Sequence, residues 1–377
     1  MKIGIDLSQI VYKTGVSRYT AELIKHLLKI DKNNQYVLFG SSLRQQDTLK
    51  NFIRNLKPCP TGKGIQASNV RTALYPIPPT ILELLFNRIH LGDIQNLIGQ
   101  VDVFHSSDWT QPKTSAKKVT TVHDLAVFKF PELFHPKIVE VQKRRLKLVK
   151  EECDKIIAVS ANTKKDLVEV LRIPEERIEI IYEAASEKFN PRNENEIQKI
   201  KRSLGIKGEY ILTVVTGGAR KNLPNLVEAF KKASGQSPRN KNLKLVVAGQ
   251  SEEVEVNDSI VKAGFLNDEE LSALYSGSKV FVYPSIYEGF GLPVLEAMAC
   301  GAPVVCSATS SLPEVGGEAA VYIDPDSAED IASGIRKTLQ CSKSEYETMR
   351  KKSQEQAKKF SWDKVAHQTL KIYEDLK

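Results

Sequence analysis

The sequence predicts an α/β protein that contains two doubly wound domains. Its 377 residues suit two domains, since a single domain usually has about 100–200 residues. Short apolar runs alternate with stretches of helical spacing, a pattern typical of parallel sheets covered by helices. This alternation begins at residues 3–7 and begins again at residues 210–215, after a polar segment that ends at Pro191. We therefore expect an N-terminal domain at 1–185 and a C-terminal domain at 190–360.

Composition places the chain among ordinary globular proteins, with 41% hydrophobic and 27% charged residues. No run approaches the roughly 18 apolar residues of a membrane span. The first residues resemble the start of a strand and not a signal peptide, so we expect a cytoplasmic protein. The cysteines have no C-x-x-C spacing and an odd count, which favours reduced thiols over a zinc site. They are Cys59, Cys153, Cys300, Cys306 and Cys341.

The net charge of +8 is consistent with phosphate-bearing ligands or an anionic membrane surface, and it selects neither. A predicted helix at residues 136–153 concentrates cations. They are Lys137, Lys143, Arg144, Arg145, Lys147 and Lys150. Two interpretations stay open. The 137–150 segment is a solvated face, or it docks on anionic lipid headgroups at the inner face of the membrane.

One stretch of the second domain combines a strand, a glycine-containing loop and a helix. The apolar run 280–283 predicts a buried strand. Gly289 and Gly291 follow in a loop, and Pro293 suits the first turn of a helix because its missing N–H needs no partner there. Backbone N–H groups at such a helix start can bind phosphate.

Two carboxylates flank this loop, because Glu288 and Glu296 lie eight residues apart. A carboxylate accepts two hydrogen bonds from a vicinal diol, which is how a ribose or hexose is held. Alone, Glu288 could be a solvated turn residue, and Glu296 an acid favoured by the helix dipole. Both acids around Gly-Phe-Gly-Leu-Pro favour a sugar site.

Two adjacent cations follow the first strand of the second domain. After residues 210–215 come Gly217, Gly218, Arg220 and Lys221. Glycines allow close backbone approach, and paired cations at a strand end can neutralise a pyrophosphate. An exposed basic loop is the alternative, but the position in the strand–helix order favours phosphate binding.

Candidate site residues also follow strands of the first domain. Gly15 lies in the turn between the first strand and a helix, although a plain turn would look the same. His123 ends the strand predicted at 118–123, where a side chain faces the ligand edge of a parallel sheet. A lone histidine is more often structural. Asp124 could orient His123 or cap the next turn.

The segment from Glu288 to Glu296, with the following Ala-Met-Ala-Cys-Gly-Ala-Pro-Val-Val, resembles the E-x7-E signature of retaining, nucleotide-sugar-dependent glycosyltransferases of family 4. The resemblance covers nearly the whole chain. Phe128 and Phe130-Pro131-Glu132, after His123, resemble a mannosyltransferase-like branch of that family. The resemblance implies the GT-B fold, with two Rossmann-like domains facing a central cleft, the acceptor on the first and the donor on the second. It also implies that a C-terminal helix at 361–377 crosses back to the first domain.

The resemblance also implies a role for each matching residue. Glu288 would hold the transferred sugar and Glu296 the ribose, and Arg220-Lys221-Asn222 match the diphosphate-binding position. His123 would hydrogen-bond the donor sugar near the reacting carbon. The remaining donor-binding positions by resemblance are Gly15, Phe265, Gly289, Phe290, Gly291 and Leu292. Ser17 stands where the family usually has a second glycine.

The implied reaction is transfer of a hexose from a nucleotide diphosphate sugar to a glycan or lipid-linked hydroxyl, with retention of the anomeric configuration. GDP-mannose is favoured over UDP- or dTDP-linked hexoses. No D-x-D metal site appears where the family would need one, so we expect no metal and no cofactor besides the donor substrate. One alternative is a nucleotide-sugar 2-epimerase of the same fold, which needs no acceptor. Another is a basic nucleic-acid-binding protein, but the chain lacks the patterns of one, so we expect no nucleic-acid partner.

Overall fold

The computed structural model describes residues 1–12, 14–56, 69–216, 218–235, 242–250 and 257–377. The chain divides into two compact units. Unit 1 comprises Met1–Glu183 and Trp362–Lys377, and unit 2 comprises Ala184–Ser361.

Unit 1 is built on a parallel sheet, to which its described residues contribute seven strands in the order β3-β2-β1-β4-β5-β6-β7. The strands are β1 Lys2–Asp6, β2 Gln35–Ser41, β3 Val70–Tyr75, β4 Val103–Ser106, β5 Lys117–Val122, β6 Lys155–Ala158 and β7 Ile178–Ile180. The helices before residue 183 are α1 Gly15–Ile30, α2 Gln46–Asn55, α3 Pro79–Glu83, α4 Gln95–Ile98, α5 Ala126–Lys129, α6 Pro136–Glu152 and α7 Ala161–Leu171.

Unit 2 is built on a second parallel sheet, with six described strands in the order β10-β9-β8-β11-β12-β13. They are β8 Tyr210–Thr216, β9 Lys244–Gln250, β10 Ile260–Gly264, β11 Val280–Tyr283, β12 Val304–Ser307 and β13 Ala320–Ile323. The helices are α8 Glu194–Ser203, α9 Leu223–Gly235, α10 Asp268–Gly277, α11 Leu292–Ala299, α12 Leu312–Gly316, α13 Ala328–Gln340 and α14 Lys343–Ala357. The last helix, α15 Trp362–Asp375, belongs to unit 1.

Both sheets are buried because helices cover their faces, as all-parallel sheets require. In unit 2, Ile211, Val280 and Val305 are fully buried and pack in one cluster with Phe230 of α9 and Ile335 of α13. In unit 1, α15 packs along α1, and Tyr373 of α15 is fully buried. The tail is therefore part of the core of unit 1.

Each sheet has one point where the strand order reverses. In unit 1, β1 pairs with both β2 and β4. In unit 2, β8 pairs with both β9 and β11. Loops that leave the carboxyl ends of the two central strands diverge at such a point and leave a crevice, where open α/β sheets bind ligands. These two reversals of strand order indicate where to look for ligand-binding residues. In unit 1 they are the loops after β1 and β4, and in unit 2 the loops after β8 and β11.

The predicted α/β class, with two parallel-sheet domains, is confirmed. Residues 57–79 are rich in Pro, Gly and polar residues, a composition that predicts a loop. This prediction is wrong where the structure describes the segment, because Val70–Tyr75 forms the edge strand β3 beside β2. Residues 57–68 of that loop lie outside the described residues. Arg71 and Thr72 are exposed on β3, so the segment lacks the apolar run by which buried strands are recognised.

The apolar spacing of residues 81–98 predicts a single amphipathic helix, and this prediction is also wrong. The chain forms α3, then a π-helical turn at Leu84–Ile89, and then α4. His90 and Gly92 separate the last two, with φ angles of 53° and 84° that a right-handed helix cannot contain. The apolar spacing runs through this break, so periodicity alone does not reveal it.

No helix among the described residues has both the length and the apolar character that crossing a bilayer requires.

Candidate active site

The loops after β8 and β11 bring a lysine and a glutamate into direct contact in unit 2. Lys221 lies in a short 3₁₀ turn after β8, and Glu288 lies five residues beyond the end of β11. Their Nζ and Oε1 atoms are 2.5 Å apart. A backbone hydrogen bond joins the two loops, because Ile286 N–H donates to the carbonyl oxygen of Arg220 at 2.9 Å. The reversal of strand order therefore unites residues that are 67 positions apart in the chain.

Three donors meet the same oxygen of Glu288. Besides Lys221, the hydroxyl of Tyr283 donates to Oε1 at 3.0 Å and the hydroxyl of Ser285 donates at 2.5 Å. Lys221 Nζ also lies 2.5 Å from the Tyr283 hydroxyl. No hydrogen bond to Oε2 is present among the described residues. Oε1 thus anchors the carboxylate, and Oε2 is the oxygen available to a ligand.

The charge of Glu288 is balanced inside the site. Burial disfavours the carboxylate, but the charges of Lys221 and Arg220, with the hydrogen bonds from Lys221 and Ser285, lower its pKa below the ordinary value. Burial, and then the charge of Glu288, raise the pKa of Tyr283 well above its usual range. Tyr283 therefore stays a neutral donor beside an ionised carboxylate.

The loop that leads into α11 is fixed by two serines. Ser310 accepts from the backbone N–H of Glu288 at 3.0 Å. Ser311 donates to the carbonyl oxygens of Glu288 and Phe290, at 3.0 and 2.7 Å. Gly291 precedes α11 with a φ of 112°, and a Cβ there would lie 2.7 Å from Leu312 Cδ2. Only glycine fits this approach of the loop to α12 without strain.

The other predicted residues of this stretch lie close by in sequence but make different contacts. Gly289 is buried, and Leu292 is the first residue of α11. The ring of Phe290 packs edge to face on Phe360, with centroids 5.8 Å apart, so this side chain belongs to the core. Glu296 is buried in α11 and accepts from the hydroxyl of Tyr275 in α10 at 3.4 Å.

Two further predicted residues lie at the carboxyl edge of the same sheet. Arg220 is half-buried, and its Nη1 donates to the carbonyl oxygen of Tyr287 at 3.1 Å. Phe265 follows β10, so it is also at this edge, and it is 74% exposed. The sequence predicts a strand at 263–266, but the strand here spans Ile260–Gly264. Gly217 lies outside the described residues.

In unit 1, His123 follows β5 and pairs with a residue that the sequence did not point to. Its Nδ1 lies 2.8 Å from Oε1 of Glu183, which is buried and 60 residues away. The Tyr19 ring meets the imidazole edge to face, with centroids 4.8 Å apart. The Nε2 atom of His123 is buried without a hydrogen-bond partner among the described residues.

The electrostatic setting of His123 favours its charged form. Burial favours the neutral ring, but the hydrogen bond and charge of Glu183, together with the charge of Asp108, raise the pKa above its ordinary value. His105, at the end of β4, behaves oppositely: burial and then the charge of His123 lower its pKa to about 3. Environments that separate two pKa values in this way are typical of functional sites.

Asp124 and Ser17 both make hydrogen bonds to backbone groups of unit 1. Asp124 caps the following turn, because its Oδ1 accepts from Ala126 N–H at 2.8 Å. Ser17 is buried and structural: it donates to the carbonyl oxygen of Gln9 at 2.6 Å and accepts from Thr14 N–H at 3.2 Å. Gly15 is the exposed first residue of α1.

The basic helix α6 is not uniformly solvated. Arg145 is 1% exposed, and its Nη1 pairs with Asp108 Oδ1 at 2.9 Å. Arg144 pairs with Glu83 at 2.9 Å. The exposed cations of α6 are Lys137, Lys143, Lys147 and Lys150.

The architecture of the chain is similar to that of solved structures over almost its whole length. The chain aligns with sucrose-phosphate synthase from Thermosynechococcus elongatus at a TM-score of 0.71 and 20% identity, covering 100% of this chain and 99% of that one. It aligns with WaaG, a glycosyltransferase of lipopolysaccharide biosynthesis, at a TM-score of 0.68 and 15% identity, covering 99% of both. The fold is that of the GT-B glycosyltransferases.

Sequence comparison identifies the family. Residues 13–186 match the family described as Glycosyltransferase Family 4, and residues 196–360 match Glycosyl transferases group 1. O-antigen chain mannosyltransferase B of Escherichia coli is 31% identical over 99% of both chains. The chain belongs to glycosyltransferase family 4, and it is a glycosyltransferase.

Proposed function

We propose that the enzyme transfers mannose from GDP-mannose to a hydroxyl of a glycan or lipid-linked acceptor, with retention of the anomeric configuration. The observation that carries the proposal is the buried contact between Lys221 and Glu288 at the crevice of unit 2. The full-length similarity to an O-antigen chain mannosyltransferase supports mannose as the sugar.

The arrangement in unit 2 suits the two ends of such a donor. Oε2 of Glu288 can accept hydrogen bonds from sugar hydroxyls, since Oε1 is already held by protein donors. The departing diphosphate needs positive charge, which Arg220 and Lys221 supply at the same edge of the sheet. Backbone groups of Gly289 and Leu292 adjoin the start of α11, where the helix dipole favours phosphate.

Retention can arise from a double displacement or from departure and attack on the same face of the sugar. A double displacement needs a nucleophile on the opposite face, and the sequence offers no obvious one. We propose departure and attack on the same face, with a diphosphate oxygen accepting the proton of the acceptor hydroxyl. The positive charge comes from side chains in this scheme, so transfer should continue in excess chelator.

A thermal-shift panel of nucleotide sugars tests the donor. GDP-mannose at about 100 times its Kd should stabilise the protein by about 2.7 kcal/mol. UDP-glucose and dTDP-hexoses at equal concentration should give smaller shifts. Equal or larger shifts with UDP- or dTDP-sugars would contradict GDP-mannose as the donor.

Release of GDP with and without acceptor tests the reaction type. A transferase releases GDP in proportion to glycosylated acceptor, whereas a 2-epimerase releases nucleotide with no acceptor present. Rapid acceptor-independent turnover would favour the epimerase.

For a lipid-linked acceptor, we propose that unit 1 contacts an anionic bilayer through residues 81–91, a segment that begins in α3 and ends before α4. Five apolar side chains there are 37–60% exposed: Ile81, Leu84, Leu85, Ile89 and Leu91. Arg144 binds Glu83, so the segment lies against the basic helix α6. Exposed apolar residues beside cations suit the surface of an anionic membrane.

Vesicle sedimentation tests this contact. The protein should bind vesicles that contain phosphatidylglycerol and not neutral phosphatidylcholine vesicles, and salt should weaken binding. Ile89→Ser with Leu91→Ser should reduce binding, whereas Val170→Ser, at an exposed apolar residue of α7, should not. Equal binding by all variants would contradict this surface.

A further inference from the structure

Glu183 and His123 form a buried, charge-assisted contact at the carboxyl edge of the sheet in unit 1. The distance from Nδ1 to Oε1 is 2.8 Å, and the side chains are 13% and 5% exposed. Glu183 is the last residue of unit 1 before the chain enters unit 2. The backbone of His123 is also held, because Thr163 donates to its carbonyl oxygen at 3.4 Å.

The two nitrogens of His123 are in different situations. Nδ1 is occupied by Glu183, whereas Nε2 is buried and has no partner among the described residues. A buried polar atom without a partner is costly unless a ligand or water satisfies it. The nitrogen that is not bound by the carboxylate is the one that can act on a ligand.

Charged and titratable groups surround this pair on several elements. Asp108 after β4 raises the pKa of His123, and Arg145 of α6 lowers it, with Glu183 as the main source of the upward shift against burial. Burial, and then the charges of His123 and Arg145, lower the pKa of His105 in β4. Its two nitrogens lie 2.6 and 3.0 Å from the hydroxyls of Tyr373 and Thr121. Tyr19 of α1 hydrogen-bonds Thr121 at 3.0 Å and contacts the His123 ring.

We propose that Glu183 is the positioning residue of His123. The Glu183 carboxylate accepts from Nδ1–H of His123, and the ring thereby presents Nε2 to a hydroxyl group of the donor sugar. The proposal rests on the donor-sugar role of His123 that the proposed function includes. A carboxylate at Nδ1 fixes both the ring orientation and the proton on that nitrogen. When the ring is cationic, Nε2–H donates to a sugar oxygen, and Glu183 balances the charge.

Glu183→Gln tests this directly, because glutamine keeps an oxygen that accepts from Nδ1–H but loses the charge. Histidine ring NMR on the ligand-free enzyme follows the titration, and His123→Asn identifies the signal among the six histidines. The pKa of His123 should fall by about one unit or more in Glu183→Gln. The matched control is Glu179→Gln, at an exposed glutamate of β7 that pairs with Lys155 at 2.9 Å, and it should leave the titration unchanged.

Transfer kinetics provide the second readout. In Glu183→Gln, kcat should fall roughly 10- to 100-fold with a smaller change in KM, since misorientation of a group that acts on the transition state lowers kcat. The alkaline limb of the kcat profile should move to lower pH, in step with the NMR titration. Glu183→Asp should recover the charge and part of the rate. A melting temperature measured for each variant separates these effects from unfolding.

An unchanged titration of His123 in Glu183→Gln would overturn the proposal. So would a shifted titration without any change in the pH profile of kcat. If His123→Asn transfers sugar at the wild-type rate, the sugar-binding role of His123 is wrong and the positioning role is wrong with it. Failure of transfer from every nucleotide sugar by the wild type would instead refute the proposed function, and the NMR titration distinguishes the two cases.

Discussion

Lys221 Nζ lies 2.5 Å from Glu288 Oε1, and both side chains are about nine-tenths buried, at 7% and 11% exposure. A buried lysine and a buried carboxylate depend on each other, because either one alone would be a desolvated charge. In the proposed function, the cation serves the diphosphate of the nucleotide sugar and the carboxylate serves its hydroxyl groups. We therefore expect stability and donor binding to be coupled at this contact.

Lys221→Ala should reduce both stability and transfer. Removal of one partner of a buried ion pair costs about 3–5 kcal/mol of unfolding free energy, and loss of the cation should lower kcat/KM roughly 100-fold or more, about 3 kcal/mol. Urea unfolding and steady-state transfer measure the two effects. Lys232→Ala, at a lysine of α9 that is 39% exposed, is the control.

The double variant Lys221→Ala with Glu288→Gln separates these effects. It should regain part of the lost stability, because no uncompensated charge remains, but it should not regain transfer. If the double variant loses as much unfolding free energy as both single variants together, the contact is not a coupled pair.

Acid should weaken the contribution of Glu288 to stability. Its pKa is lowered in the folded protein from an ordinary value of 4.5. The stabilisation is therefore fully present above pH 4.5 and is lost as the pH falls through the folded pKa. The difference in unfolding free energy between wild type and Glu288→Gln should shrink over that acidic range. A difference that stays constant down to pH 3 would contradict the lowered pKa.

Tyr283→Phe and Ser285→Ala should each impair transfer without abolishing the fold. Each removes one hydrogen bond to the anchored oxygen of Glu288, and hydrogen bonds to charged groups contribute about 1.5–3 kcal/mol. We expect kcat to fall by roughly 10-fold or more. Tyr322→Phe is the control, because it removes a hydroxyl that bonds Gly317 in the same unit. Wild-type kcat in Tyr283→Phe and Ser285→Ala, as in this control, would refute the anchoring role.

Gly291→Ala should destabilise the start of α11. The φ of 112° disfavours any side chain, and the new Cβ would meet Leu312. We expect a loss of about 1–3 kcal/mol in unfolding free energy. Gly205→Ala is the control, since that glycine has a φ of 66° with open space around its Cβ position. Equal losses in both variants would show that the close approach to Leu312 contributes nothing.

The fold and the loops after β8 and β11 could be predicted because local signals mark them. Each signal lies within a short stretch of sequence. The signals are the strand ends, the glycines Gly289 and Gly291, and the adjacent cations Arg220 and Lys221. Tyr283 and Ser285 carried a usable signal as well, since they lie five and three positions before Glu288.

Other features depend on tertiary contacts that sequence spacing does not reveal. Glu183 meets His123 only because β5 and β7 end at the same edge of one sheet, with β6 between them. Arg145 looked like one more cation of a solvated helix, but Asp108 and backbone oxygens of unit 1 enclose it. The break at His90 lies inside a continuous apolar pattern. The surroundings of Glu183 and Arg145 each depend on a partner far away in the chain.

The most direct test is transfer from GDP-mannose by wild type and Glu288→Gln, with NMR of the product and urea unfolding of both proteins. We predict acceptor-dependent release of GDP and an α-linked product from the α-linked donor by the wild type. We predict at least about a 100-fold loss of kcat in a folded Glu288→Gln variant. Wild-type turnover by Glu288→Gln, or a product with inverted configuration, would contradict the account.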